Sequence, residues 1–237
     1  LLGALLGGYV LFFWLDLEGV FRVAVGALVV AAGLLALQVS QWRHLALIPV
    51  LPALLALALL PAWSTYKLSV GAFRFRTAEP ATYQGAEAFY TERQRRTGEK
   101  ILFYKDDPIA SVAVREFRYG DETSRAILSN GKSDGALIGD YPTMALAALI
   151  PALLAEKAER VFTIGWGTGV TVGELAALES VKEVHVAEIS SGVIDAAPWF
   201  EHGNLGASRN PKVEIVRTDA YRALHQSRGD YDIIVSE

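Results

Sequence analysis

"VFTIGWGTGVTVGE", residues 161–174, opens as a run of β-formers, breaks at three alternate glycines and then turns helical. Val161–Ile164 suits a buried strand, and the residues after Gly169 suit a helix. Between the two, Gly165, Gly167 and Gly169 permit a tight turn and a close approach of backbone to a ligand, with helix N–H groups beyond. A plain strand-to-helix turn has the same spacing, so the glycines need support from their neighbours.

Downstream the same rhythm repeats. "KEVHVAEI" (182–189) reads as a strand and "SGVIDAAPWF" (191–200) as a helix; "KVEIVRTDA" (212–220), "YRALHQS" (221–227) and "YDIIVSE" (231–237) continue the alternation. Strands alternating with helices give a parallel sheet with helices on its faces, and such sheets bind ligands at the carboxyl ends of their strands. Glu188 ends the second strand, where a carboxylate can accept both hydroxyls of a ribose; a solvated strand-end acid is the plainer reading. Asp219 closes the third strand on the same edge, either as a ligand contact or as the N-cap of the helix that follows. Three such features at successive strand ends point to an adenosine-type cofactor. The glycine spacing is GxGxG, with Gly173 four residues after Gly169, and not the GxGxxG of dinucleotide sites; no GK[ST] follows, which excludes a P-loop. The pattern resembles class I S-adenosylmethionine (SAM) enzymes.

Upstream, "KLSVGAFRFR" (67–76) alternates like a strand, and "KILFYKDDPIASVAVREF" (100–117) reads as two strands around an Asp-Asp-Pro turn. "AILSNGKSD" (126–134) carries the Asn130-Gly131 hairpin signal, and "NGKSD" otherwise reads as turn chemistry. Residues 64–140 are therefore expected to form a small antiparallel β domain, and residues 141–237 the α/β domain. "TMALAALIPALLA" (143–155), interrupted by Pro151, is too short to span a bilayer and suits a packing helix.

Residues 1–63 hold only Asp16, Glu18, Arg22 and Arg43 as charges, which divide three apolar stretches, Leu1–Leu15, Val23–Val39 and Leu45–Trp63. The last two meet the length that crosses a hydrocarbon layer of ~30 Å, and the first is shorter. Gly3, Gly7, Gly8, Gly26 and Gly33, with many alanines, would let helices approach, and Trp14, Trp42 and Trp63 sit at stretch ends as interfacial indoles do. Three transmembrane helices are expected, with a buried soluble hairpin as the alternative. Lys67, Arg74 and Arg76 after the third favour a cytoplasmic location for the remainder of a multi-pass protein of the plasma or inner membrane. The chain opens without Met in an apolar run and stops within a strand, so a longer protein is expected.

Composition removes several classes. Cysteine is absent, which excludes disulfides and thiolate chemistry. His44, His185, His202 and His225 lack metal-ligand spacing, so no metal is expected. With 22 basic and 26 acidic residues there is no field for nucleic acid. His185, between two valines, suits a packed or edge histidine; Trp166 suits either a ligand stack or a surface plug. "TERQRRTGEK" (91–100) suits a solvated face that could meet anionic headgroups.

"VFTIGWGTG", "VKEVHVAEIS", "NPKVEIVRTDAYRAL" and "YDIIVSE" resemble the SAM-fold half of spermidine synthases. "LSNGKSDGALIGDYPTMALAALIPALL" (128–154) resembles the stretch that joins the β domain to this half in membrane-fused spermidine synthase-like proteins, and the resemblance covers about residues 85–237. It implies a transmembrane α-helical segment followed by a small antiparallel β domain and a Rossmann-like, class I SAM-methyltransferase-like α/β domain. It also implies aminopropyl transfer from decarboxylated SAM to a polyamine acceptor such as putrescine, with the lipid bilayer as a further partner and a homodimer within expectation. Carried over by position, Gly165, Gly167, Thr168 and Gly169 are the cofactor loop, Glu188 the ribose acid, and Asp219 with Ala220 the adenine-contacting pair. Thr168 stands where the family has an aspartate that holds the aminopropyl ammonium, which favours intact SAM and a methyltransferase as the alternative. Glu237 matches the catalytic aspartate, one methylene longer, and Asp140 matches an amine-contacting acid or caps the helix after it; Thr143 and Met144 stand in place of the family's Tyr-His. A membrane protein that binds a nucleoside or amine without catalysis is the third reading.

Overall fold

The computed structural model describes residues 1–39, 45, 47–74, 76, 78–227 and 229–236. Its internal contacts divide the chain into two units, residues 1–64 with 106–108, and residues 65–105 with 109–237.

In the first unit, α1 (Leu2–Gly8) and a 3-10 turn precede α2 (Leu17–Val39), and α3 (Val50–Ala58) follows. Helix α2 packs on α3 through its small residues: a side chain at Gly33 would stand 2.6 Å from Val50 Cγ2, and one at Gly26 would touch Leu54 and Leu57. At the other end of the pair, Arg22 bonds Glu18 and donates to the carbonyls of Ala58 (3.1 Å) and Leu60 (2.8 Å), while Glu18 accepts from Trp63 N–H (2.8 Å). These two charges lie inside α2, where a loop was expected; Arg22 satisfies carbonyls at the end of the neighbouring helix and Glu18 an N–H beyond it.

The expectation of three spans is corrected. Among the described residues only α2, with 23 residues, is long and apolar enough to cross a membrane. Helix α3, at nine residues, reaches about 14 Å and α1 less, against a hydrocarbon layer of ~30 Å. Pro61 accounts for part of this, since the residue before a proline is pushed out of the helical region and α3 cannot run on to Trp63. Trp42, Arg43 and His44 lie outside the described residues.

In the second unit, β1 (Lys100–Asp106), β2 (Ser111–Tyr119), β3 (Glu122–Ser129) and β4 (Lys132–Ala136) lie in that order in one sheet. Strands β2, β3 and β4 pair antiparallel, with Val114 opposite Ile127 in the core. The Asn130-Gly131 turn joins β3 to β4 with φ of 51° and 74°, the two left-handed residues that a two-residue hairpin needs. Residues 67–74 do not extend this sheet as the alternation suggested. They form α4 (Thr65–Ser69) and a 3-10 turn (Ala72–Arg74). Gly71, at φ 62°, lies against the backbone of Gly131 so closely that any side chain would strike its carbonyl, and this approach overrides the strand pattern.

Helix α5 (Ala86–Thr97) carries the "TERQRRTGEK" charges on two faces. Arg95 pairs outward with Glu92, whereas Arg93, 12% exposed, turns in to Glu99 at 3.4 Å, where Arg115 of β2 also pairs at 3.2 Å. The segment is thus only half a solvated face.

Helix α6 (Tyr141–Leu154) leads into a parallel sheet of order β7-β6-β5-β8, made of β5 (Arg160–Ile164), β6 (Glu183–Glu188), β7 (Val213–Arg217) and β8 (Ile233–Ser236). Between these strands run α7 (Val170–Ala177), α8 (Ser191–Ala196) and α9 (Ala220–Gln226). The chain leaves β5 toward β6 and β7 on one side and returns to β8 on the other, so the switch in strand order falls at β5. One buried cluster joins both sheets: Val112, Val114 and Ile127 from the antiparallel one, Val161, Val184 and Val235 from the parallel one, with Met144, Leu175 and Phe200 from the helical layers and the loops.

Candidate functional site

The glycine loop emerges from β5 at this switch. Gly165, Gly167 and Gly169 have φ of 91°, 52° and 78°, all in the region that L side chains avoid, which explains three glycines in five residues. Gly169 is also constrained by packing: a Cβ there would stand 2.6 Å from the Trp166 ring and 2.8 Å from the Asn204 amide. Trp166 is fully buried, its indole wedged beneath the loop, so neither the ligand stack nor the surface plug describes it. Asn204, 1% exposed, donates to Thr168 C=O at 3.0 Å and accepts from Ala207 N–H at 3.3 Å. The stretch Gly203–Gly206 thereby buttresses the loop from behind, and an isolated Asn in a polar segment gave no signal of it.

Glu188 lies at the end of β6 and is 7% exposed. Its Oε2 accepts from Trp166 N–H in the glycine loop at 3.0 Å, and its Oε1 from Ser190 N–H at 2.7 Å. One carboxylate therefore ties together the turns after β5 and β6. A carboxylate offers about four lone-pair sites, so two remain for hydroxyl donors. Ser190 in turn caps α8, its hydroxyl accepting from Val193 N–H at 3.2 Å.

Gly165, Gly167, Glu188, Ser190 and Val193 form one side of a cavity of about 490 Å³. The other side comes from the antiparallel sheet: Ile109 and Ala110 before β2, Ile127 and Ser129 of β3, Asn130 of the hairpin turn, and Lys132 and Asp134 of β4. A larger depression of about 590 Å³ beside α5 is lined by Ala72, Arg76, Phe89 and Tyr90 among others, without strand-end acids or a glycine loop. The smaller cavity alone combines backbone, carboxylate and a strand-order switch, and we take it as the site.

The other sequence candidates fall elsewhere. Thr168 is fully buried, with its hydroxyl 3.2 Å from Met144 Sδ and its methyl beside Gly135, and is not among the lining residues. Asp219 follows β7 on the same sheet edge, where Thr218 N–H bonds Glu188 C=O at 3.1 Å, but its side chain caps α9 by accepting from Arg222 N–H at 3.0 Å. Ala220 begins α9, and neither residue lines the cavity. Asp140 is exposed ahead of α6 and makes no side-chain cap bond. Glu237 lies outside the described residues. His185, expected to be packed or at an edge, is packed: it lies in β6 between β7 and β5, with its ring against Tyr231 and Nδ1 2.8 Å from Tyr231 Oη. Among the described residues no cluster of acids and histidines suited to a metal ion occurs. Lys132 and Asp134 read as turn chemistry in the sequence; in the fold Asp134 is the extra residue of a bulge between Ser133, opposite Leu128, and Gly135, opposite Ile127, and no sequence signal marks it.

Comparison with known proteins adds the relationship. Residues 144–237 match the spermine/spermidine synthase domain. The polyamine aminopropyltransferase of Sulfurisphaera tokodaii is 26% identical over 139 residues, covering 57% of this chain and 45% of its own length. That of Serratia proteamaculans is 27% identical over 89 residues, 37% of this chain and 31% of the relative. The chain thus spans less than half the length of these relatives. In fold it resembles the spermidine synthase of Thermotoga maritima, with a TM-score of 0.53 and 20% identity over 58% of this chain and 46% of that one. A spermidine synthase in complex with the transition state analogue AdoDATO aligns likewise, with a TM-score of 0.52 and 20% identity over 58% of this chain and 47% of that one. The match thus falls on residues 144–237, the part that holds the glycine loop and the strand-end acid, and there the chain is similar to the spermine/spermidine synthase domain.

Proposed function

We propose that the protein is an aminopropyltransferase that takes an aminopropyl group from decarboxylated SAM and passes it to a polyamine acceptor. The observation that carries this reading is the cavity at the carboxyl ends of β5 and β6, where Gly165, Gly167 and Glu188 meet within the stretch that matches this family's domain. The adenosyl part sits over the glycine loop, with its ribose hydroxyls on the two free lone-pair sites of Glu188. The acceptor amine's lone pair attacks the propyl carbon bonded to the sulfonium. The C–S bond breaks, its electrons return to sulfur, and neutral 5′-methylthioadenosine leaves. The amine must lose a proton to react, and Glu237, the residue after Ser236 in the sequence, is the proposed acceptor of it. Asp140 is proposed to meet the acceptor's distal ammonium, and Asp219 with Ala220 to border the adenine. Alignment of amine and sulfonium supplies most of the acceleration, because the leaving group is already good. Attachment to a membrane through α2 belongs to the same proposal.

A methyltransferase using intact SAM is the second reading, favoured by Thr168 in place of an acid. Incubation of the full chain with each donor and putrescine, followed by mass spectrometry, separates them. Methylthioadenosine and spermidine formed from decarboxylated SAM support the first reading. S-adenosylhomocysteine formed from SAM, with no methylthioadenosine, overturns it.

A further inference from the structure

An alkylammonium ligand needs a counter-charge, and the glycine loop does not offer one, since Thr168 is neutral and buried against Met144. Glu188, the acid of the cavity floor, is engaged with two backbone N–H groups and faces the ribose in the reading above. The remaining acid in the cavity wall is Asp134, contributed by β4 from the opposite side. Two residues before it stands Lys132, whose Nζ lies 3.0 Å from Asp134 Oδ1. Both side chains are open to solvent, at 57% and 35% exposure, so the pair is weakly held. Asp134 therefore already binds a primary ammonium inside the cavity, and that ammonium belongs to the protein.

We infer that Asp134 receives a primary ammonium group of the ligand, and that Lys132 is the resident cation this group displaces. The inference rests on the adenosyl-sulfonium reading of the cavity and names its specificity residues. A ligand ammonium makes the same bond to Asp134 that Lys132 makes, so exchange costs only what the exposed pair contributes. Lys132 competes with that ammonium: it weakens ligands that bring one to Asp134 by what the exposed pair contributes, and leaves ligands without one unaffected. The ammonium could be the donor's aminopropyl end or an end of the acceptor, and the two are chemically alike at Asp134.

Calorimetric titration of the full chain with 5′-methylthioadenosine, decarboxylated SAM and putrescine tests this, with circular dichroism to check that each variant is folded. Methylthioadenosine carries the adenosyl part without an ammonium. Asp134→Asn is expected to weaken decarboxylated SAM or putrescine by about tenfold, the scale of one hydrogen bond to a charged group, and to leave methylthioadenosine unchanged. Loss confined to the donor assigns its aminopropyl end; loss confined to putrescine assigns the acceptor. Lys132→Met is expected to tighten the same ligand by about two- to fivefold, as befits an exposed ion pair, and to gain nothing once Asp134 is Asn. Unchanged affinity of both ammonium ligands in Asp134→Asn overturns the proposal while methylthioadenosine binding keeps the cavity reading intact. A Lys132→Met gain that persists beside Asp134→Asn overturns the displacement. Failure of methylthioadenosine to bind any form overturns the cavity reading and this proposal together.

Discussion

At the scale of the residue, Glu188 is a structural group and, under the proposed function, a recognition group as well. Its oxygens hold the amides of Trp166 and Ser190, and the unused lone pairs face the cavity. Glu188→Gln keeps the size but turns an NH2 toward one of those amides. The variant is expected to lose about 1–3 kcal/mol of stability, the cost of leaving a buried donor without an acceptor. It should also bind methylthioadenosine at least tenfold more weakly, and thermal melts with titration calorimetry measure both. In the sequence this residue reads as a ribose acid or as a solvated strand-end acid; the fold buries it, 7% exposed, at the end of β6. Its grip on Trp166 N–H was not legible, because it depends on how far β5 and β6 are staggered. For the same reason Asp219 stays open in the sequence between a ligand contact and a helix cap: both roles share the strand-end position, and in the fold its side chain accepts from Arg222 N–H.

Among the elements, the α5–β1–β2 junction is the clearest case of a charge pattern misleading about burial. Helical periodicity cannot tell which Arg of "RQRR" turns inward; the partner does, and Glu99 lies beyond the helix end. Tyr66 of α4 points its hydroxyl at Glu99, and burial, followed by the charge of Glu99, pushes its pKa from 10.0 to about 12. The folded state thus keeps a proton that the unfolded chain releases near pH 10. Tyr66 contributes its full stability below pH 10, and that contribution declines as the pH rises to about 12. Chemical denaturation at pH 9, 10, 11 and 12 should show stability falling across this window, with a shallower fall in Tyr66→Phe. A fall of equal slope in both would assign the alkaline loss to other groups. The two hairpins were legible where turn chemistry is specific, at Asn130-Gly131 and Asp107-Pro108. The false strand at residues 67–74 came from alternation alone, which carries no information about what packs against Gly71.

For the whole molecule, the α/β half was readable because each of its strands and helices repeats one grammar, whereas the order β7-β6-β5-β8 comes from the fold alone. The apolar N-terminal segment was less so. Hydropathy counts residues, whereas a span requires one unbroken helix, and prolines at 49, 52 and 61 shorten the third stretch to nine helical residues. Helix α2 is left to carry the membrane proposal. Leu28 and Leu35, 69% and 61% exposed along it, would face lipid. If α2 spans a bilayer, the full chain should stay with the membrane fraction after alkaline carbonate washing. Leu28→Arg with Leu35→Arg should release much of it, since each arginine near a span's centre costs about 2.5–3.5 kcal/mol. Wild-type protein found in the wash would rule out an embedded α2.

The burial of Trp166 gives the protein an optical gauge of its own. An indole sealed beneath Gly169, without water around it, emits toward the blue, and it cannot stay sealed if the loop above it lifts. Fluorescence from that one ring therefore follows the loop directly, whichever molecule comes to rest on the glycines.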